Sequence, residues 1–463
     1  MLAELASAVR ERRVAATELV ELAYERIDRL DPPLHAVVAL RDPDDALGEA
    51  RAVQAAATGT EGAAPLLGLP LLVKDNTDVA GMRTTHGSLL LADATPAGRD
   101  ARVVQRLRAA GAIVVGKTNV PEFSFQGFTD NALFGATGNP WDSAWSPGGS
   151  SGGSGAALAA GMVPLATGTD GGGSVRIPAA LCGLAGLKPT HGLIGRRPVP
   201  SWMDLSTDGP LATSVADVRL LLDILRGPEP GDLHAVDRWE PRGGAVRRVV
   251  TAPRTWDFGP LPPELDLLYR GALAALEDDL GLPVEEVSLE EVFASGGHPG
   301  DDWFAVVAVE ELGWIGRERI RQNLDRLSPS FRFSMEEGLR ITLDRYEQAR
   351  RNRFGYARWL DELLGEDAVF VCPTLGYQGW LADGRVSVDG GIAGPEGYNN
   401  GEMNLTGHPS LSVPAGICPN GLPFGLQITG PRWRDDLVLD VGQAWETAHL
   451  WATVAPGFEP FGP

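Results

Sequence analysis

Two glycine–serine clusters with a lysine upstream are the residues of this chain whose types and order suit chemistry. The clusters are Gly148 to Gly155, GGSSGGSG, and Gly171 to Ser174, GGGS, and Lys74 closes the apolar run PLLGLPLLVK. Glycine loses more conformational freedom on folding than any other residue, so this density needs a reason. A flexible linker is one reason. A linker would not run on into AALAAGMVPLA, or end in Ile177, Leu181, Leu184 and Leu187 with Pro178 and Pro189 setting turns. The pattern reads instead as backbone held close to something small, with N–H groups bared toward an anion or oxyanion. A serine hydroxyl is a poor nucleophile until a base takes its proton. Taken alone, Lys74 reads as a solvated side chain. Placed after a buried strand and in the company of both clusters it becomes a candidate base, because desolvation disfavours the ammonium and leaves a neutral amine.

Two shorter motifs compete with this reading. Gly111 to Thr118, GAIVVGKT, fits the spacing of a phosphate-binding loop. In a true loop of that kind a strand precedes the first glycine and the four middle residues wrap a phosphate. Here the middle is itself strand-like and a helical stretch precedes it, so the match is accidental. Gly148 to Gly152, GGSSG, fits the nucleophile elbow of α/β-hydrolases, which would make Ser150 the nucleophile of an esterase. That elbow needs an incoming strand, and WDSAWSP is a poor one.

Taken in order, LVKDN, GGSSGG and GTDGGGSVRIP resemble the amidase signature family of serine hydrolases. The likeness extends to GKTNVPEF at 116–123, GNPWD at 138–142, AALCGLAGLKPTHG at 179–192 and DGPLATSVADVRLLLD at 208–223. NLTGHPSLSVPAG at 404–416 and GLPFGLQITGPRWRD at 421–435 carry it to the far end, leaving about 235–365 without a counterpart. The resemblance implies an amidase signature fold and roles for particular residues. Ser174 matches the nucleophile, Ser150 the bridging serine held through a cis peptide, and Lys74 the general base. The proton would pass from Ser174 to Ser150 to neutral Lys74. The backbone N–H groups of Gly171, Gly172, Gly173 and Ser174 match the oxyanion hole, and many relatives carry Thr where Gly171 stands. Ser124 and Phe125 fall where relatives line the acyl side of the pocket. Asp170 and Arg176 flank the nucleophile and read best as a pair fixing the loop. Ser151 and Ser154 read as loop hydrogen-bonders, and His86 and His408 as structural.

The implied function is a cofactor-free amidohydrolase that cleaves a C–N bond through an acyl-enzyme on Ser174, with small-molecule amides, aryl amides or carbamates (urethanes) as substrates. A second reading is the glutamine-hydrolysing A-type subunit of an amidotransferase, which needs a partner subunit. Family members are often homodimers.

These residues need a scaffold of strands and helices. The N-terminal 31 residues read as two helices, the second capped by Thr17. A short strand at Ala36 to Leu40 and a helix over Asp44 to Ala57 follow. Strands at Pro65 to Val73 and Ala112 to Val115, with helical stretches between, indicate an α/β fold. The expectation is one large domain over 1–463, with a mixed, mostly parallel central sheet covered by helices. From about 235 to 365 a strand at Val249 to Ala252 leads into charged amphipathic helices, which read as a variable, substrate-shaping region.

Composition sets the remaining bounds. Hydrophobic residues make up 43% of 463, enough for a well-cored globular chain. Acidic residues outnumber basic ones to give a net charge of −21, which would repel nucleic acid. No apolar run approaches the ~20 residues of a membrane helix, and the amphipathic MLAELASAVRERR lacks a signal-peptide core, so a cytoplasmic location is expected. Three cysteines are an odd number and read as buried structural thiols. Seven histidines show no metal-binding spacing, and no metal is expected.

Overall fold

The computed structural model describes residues 1–56, 64–253, 260–289, 297–388, 391–393 and 399–462. Its centre is a mixed sheet of eleven strands. In chain order these are β1 (Val37–Leu40), β2 (Pro70–Lys74), β3 (Ile113–Thr118), β4 (Leu165–Asp170), β5 (Ala185–Lys188), β6 (Thr207–Ala212), β7 (Arg248–Thr251), β8 (Val284–Glu286) and β9 (Ala368–Pro373). A separate two-stranded ribbon, β10 (Val386–Val388) and β11 (Gly391–Ala393), precedes β12 (Ser410–Ile417) and β13 (Pro423–Thr429). The sheet runs β1-β3-β2-β4-β6-β5-β12-β13-β9-β7-β8.

The mixed character expected from the sequence holds, but the sheet is not mostly parallel. Parallel pairing is confined to β2 with β3 and β4, and to β7 with β8 and β9; the pairs between β4 and β9, and β1 with β3, are antiparallel. Periodicity cannot distinguish the two, because a strand buried on both faces reads as a continuous apolar run in either direction. β2 and β9 are of this kind, buried along their full length.

Boundaries shift in ways local chemistry explains. The apolar run from Pro65 becomes strand only at Pro70, and Lys74 is the last strand residue. The second N-terminal helix, Ala16–Leu30, starts one residue ahead of Thr17; its cap is the Glu18 carboxylate, which accepts the Ala15 N–H at 2.6 Å. Ser214 caps the helix Val215–Leu225, its side chain accepting the Asp217 N–H. The region about 235–365 is not purely helical. β7 and β8 complete one end of the sheet, while the helices between Pro299 and Leu364 gather around a second apolar cluster that includes Trp303, Phe331 and Tyr356. No described helix is long and apolar enough to cross a membrane.

Candidate active site

Lys74 reaches the site from the end of β2, where every residue is buried. Its Nζ lies 2.8 Å from Ser150 Oγ and 2.7 Å from Thr169 Oγ1, with Thr169 O at 3.5 Å. Burial pulls the lysine from its ordinary 10.5 down to about 7, an effect only partly offset by the Asp170 and Asp208 carboxylates. Ser150 sits in the loop ahead of the helix Gly152–Ala159, and the Gly149–Ser150 peptide is cis. Gly149 is required by close approach: a Cβ there would stand 2.7 Å from the carbonyl oxygens of Gln126 and Phe128. The first glycine cluster therefore packs against the chain's own backbone, where its density suggested a small ligand.

Ser174 follows β4 in a turn that begins the helix Arg176–Cys182. Gly173 has φ +119°, a left-handed conformation that side chains rarely adopt, and its N–H donates to Asp170 Oδ1 at 2.9 Å. That N–H is taken, so four consecutive donors are not free here. Among the described residues the amides of Gly171, Gly172 and Ser174 make no hydrogen bond. The Ser151 N–H donates to the Ser174 carbonyl at 3.2 Å, tying the two clusters together. Ser174 Oγ itself makes no hydrogen bond among the described residues.

Asp170 and Arg176 form the pair that fixes this turn. Both are fully buried and meet through two parallel hydrogen bonds, Nε to Oδ2 at 2.9 Å and Nη2 to Oδ1 at 2.8 Å. Arg176 also donates to Gln427 and Asn404, and Asp170 accepts from the Val175 N–H. Burial alone would raise the Asp170 carboxyl, but Arg176 holds it well below the usual carboxylate range. Arg176→Met leaves a buried carboxylate without its partner. We expect it to lower unfolding stability by about 3–5 kcal/mol, read from the shift of a urea midpoint.

Ser150, Ser174, Thr169 and Gly171 open into one cavity of about 470 Å³. Ser124 lines it too, with φ 59° and a buried Oγ that has no hydrogen-bond partner among the described residues. Phe125 does not. It lies behind the site, edge-on to Trp202, and lines a slot of about 10 Å³ with Ser124, Gly172, Ser174 and Trp303. Ser151 and Ser154 bond to β4 and not to a loop: Ser151 Oγ lies 3.3 Å from both Thr169 N and Thr169 O, and Ser154 Oγ donates to Thr167 O. His86 lines the cavity and burial holds it neutral, at about 3. His408 lies 3.2 Å from Asp361 and does not line the cavity. Lys117, from the apparent phosphate loop, is buried in β3 and paired with Asp75 at 2.7 Å. All three cysteines are buried, and burial pushes their thiols up. Among the described residues no group of three or more His, Cys, Asp or Glu could hold a metal ion.

Several residues of the site escape sequence reasoning. Thr169 bridges Lys74 and Asn76, whose Nδ2 donates to the same Oγ1 at 3.0 Å. Trp202 and Trp303 wall the second cluster so tightly that a Cβ at Gly171 would sit 2.3 Å from the Trp202 ring, and one at Gly172 2.4 Å from Trp303. The Trp303 indole N–H donates to Gly171 O at 2.8 Å. Glycine at 171 thus makes room for an indole that no motif announces. The helix Pro299–Ile315 brings Glu311 and half-exposed Trp314 to the far wall. Burial raises Glu311 to about 8, so it stands as a neutral acid that accepts from Ser201 at 2.8 Å.

Comparison with known proteins identifies relatives of the chain. The family model described as Amidase matches residues 18–295. An acylamidase of Rhodococcus erythropolis is 33% identical, over 98% of this chain and 96% of its own. The A-type subunit of the glutamyl-tRNA(Gln) amidotransferase of Acidothermus cellulolyticus is 35% identical, over 96% of this chain and 94% of its own. The crystal structure of a bacterial aryl acylamidase superposes with a TM-score of 0.85 at 27% identity, covering 97% of this chain and 96% of that one. With the motifs, the fold and these matches in agreement along nearly its whole length, the chain belongs to the amidase signature family of hydrolases.

Proposed function

We propose that the protein is a serine amidohydrolase that cleaves the C–N bond of small amides, aryl amides and carbamates among them, through an acyl-enzyme on Ser174. The observation that carries this is the buried Lys74 amine, 2.8 Å from Ser150 Oγ at the edge of the cavity that Ser174 also lines. A neutral amine has two N–H donors and one lone pair. Thr169 Oγ1 and Thr169 O accept the two donors, which turns the lone pair toward the Ser150 hydroxyl. Ser150 can then give its proton to Lys74 while taking one from Ser174 as that oxygen attacks the acyl carbon. Hydrogen bonds of this kind are often long in a ligand-free site and tighten around substrate. The free amides of Gly171, Gly172 and Ser174 would receive the oxyanion. Collapse expels the amine, which takes the proton back through Ser150, and water repeats the sequence to release the acid.

Two substrates built on one aromatic amine test the class. With an anilide and an O-alkyl carbamate, the wild type is expected to release the amine from both, as followed by chromatography. Release from the anilide alone would restrict the pocket to ordinary acyl groups. A second reading rests on the 35% identity to the A-type subunit of an amidotransferase. It predicts glutaminase activity that appears only with a co-purifying partner, and release from neither synthetic substrate would favour it.

A further inference from the structure

Three carboxyl side chains that the scheme above does not use line the cavity, Asp78, Asp208 and Glu311. Asp208 stands on β6 directly opposite Thr169 on β4, in an antiparallel pair. Residues opposite one another in such a pair project to the same face, so Asp208 shares the cavity face with the threonine that holds Lys74. Its side chain is partly open to the cavity, and among the described residues it makes no hydrogen bond and no ion pair.

The arginines and the other two carboxyl groups on the wall are engaged. Arg102 and Arg197, toward the rim, share Glu229 at 2.9 and 3.0 Å, and Arg196 is bound to Asp232 at 3.0 Å. Asp78 accepts from Thr84 and Glu311 from Ser201. The cations nearest Asp208 direct their donors elsewhere. Arg196 also donates to Ser206 O, and Arg106 donates to the carbonyls of Gly195, Gly227 and Pro228. They supply positive potential, and the Asp208 oxygens keep their acceptor sites facing the cavity.

We propose that Asp208 is a specificity-determining residue that receives a protonated amine on the substrate, so that the preferred amides carry a primary ammonium group beyond the scissile bond. The proposal rests on this cavity being the amide site, and it narrows the substrate class. Burial raises the Asp208 carboxyl to about 6, against the opposing pull of Arg196, Arg106 and Lys74 and the added push of Asp232. Above that pH the group is ionised, while an alkylamine stays protonated to about 10. The two charges therefore coexist at pH 8.

Binding tests this without turnover, so a failure here is distinct from a failure of the amidase reading. Trp202 and Trp314 line the cavity and report occupancy by fluorescence. Wild-type protein would be titrated at pH 8 with 1-aminohexane, 1-hexanol and hexanoate. The amine is expected to bind at least about tenfold more tightly than either of the others, and Asp208→Asn to bring the ratio near one, with Asp208→Glu restoring part of it. Equal binding of the amine and the alcohol by the wild type would overturn the proposal and needs no variant. Tighter binding of hexanoate would also overturn it, in favour of the rim arginines. A ratio preserved in Asp208→Asn would do the same.

Discussion

Ser174→Ala is expected to lose about 10⁴- to 10⁶-fold in kcat on an anilide while folding as the wild type does. The size follows from the mechanism: without the hydroxyl no acyl-enzyme forms, and only binding and oxyanion stabilisation remain. The structure gives two reasons to expect intact folding. Ser174 Oγ makes no hydrogen bond among the described residues, so its removal strands no partner. The turn that carries it is held by Asp170, Arg176 and Asn404, none of which touches that oxygen. Urea midpoints of the two proteins should therefore agree. Ser150→Ala is expected to be impaired as well, because the bridge to Lys74 is cut, so the diagnostic result is the pair. Wild-type activity in Ser174→Ala with loss in Ser150→Ala would make Ser150 the nucleophile and sink the acyl-enzyme on Ser174.

How far the sequence carries this reading depends on what each residue answers to. Lys74, Ser150 and Ser174 are legible because each stands in a local frame that neighbours in sequence define: a buried strand end and two glycine turns. Asp170 and Arg176 are legible for the same reason, six residues apart across one turn. Thr169 could have been found: it sits one residue before Asp170 on an inward-facing strand, and only its distance in sequence from Lys74 conceals the contact. Trp202, Trp303 and Glu311 were beyond reach. They arrive from a loop and from a helix more than a hundred residues downstream, and tertiary packing alone brings Trp202 and Trp303 to Gly171 and Gly172 and Glu311 to Ser201. Strand direction was unreadable in the same way, since β5, β6, β12 and β13 are largely buried whichever way they run. The aromatic residues of the helical region divide accordingly. Trp303, Phe304 and Phe331 serve packing around Phe125 and Trp202, and Trp314 alone of these reaches the main cavity.

The wall that Trp202 makes bears on the glycine at 171. Threonine there would place a Cβ within 2.3 Å of the indole, so this chain couples a small residue next to the nucleophile to a large one across from it. The cavity is consequently shaped by a loop residue and a glycine acting together, and exchange of either alone leaves a clash or a hole.

On the proposed mechanism Lys74 sets the pH dependence. The amine must be neutral to accept the Ser150 proton, and burial brings its pKa to about 7. Activity on a neutral amide should therefore rise as pH increases through about 7 and level off above it. Removing the Asp208 carboxylate, which holds the lysine proton on, should move that limb toward lower pH. Lys74→Met is expected to lose about 10²- to 10⁴-fold in kcat/KM at every pH on the plateau. Lys74→Arg should not recover the loss at pH 9, because guanidinium stays charged there. The same shift acts on stability. The unfolded chain keeps this proton to about 10.5 and the folded one releases it near 7, so between those values the unfolded state binds more protons and stability climbs with pH. Buried Lys188, also lowered to about 7, adds a slope of its own. The informative quantity is thus the difference between wild type and Lys74→Met in urea midpoints measured at pH 6.5, 8 and 9.5. A shallower rise in the variant, together with a lost kinetic limb, identifies Lys74 as the base. An unchanged limb would place the titrating group elsewhere.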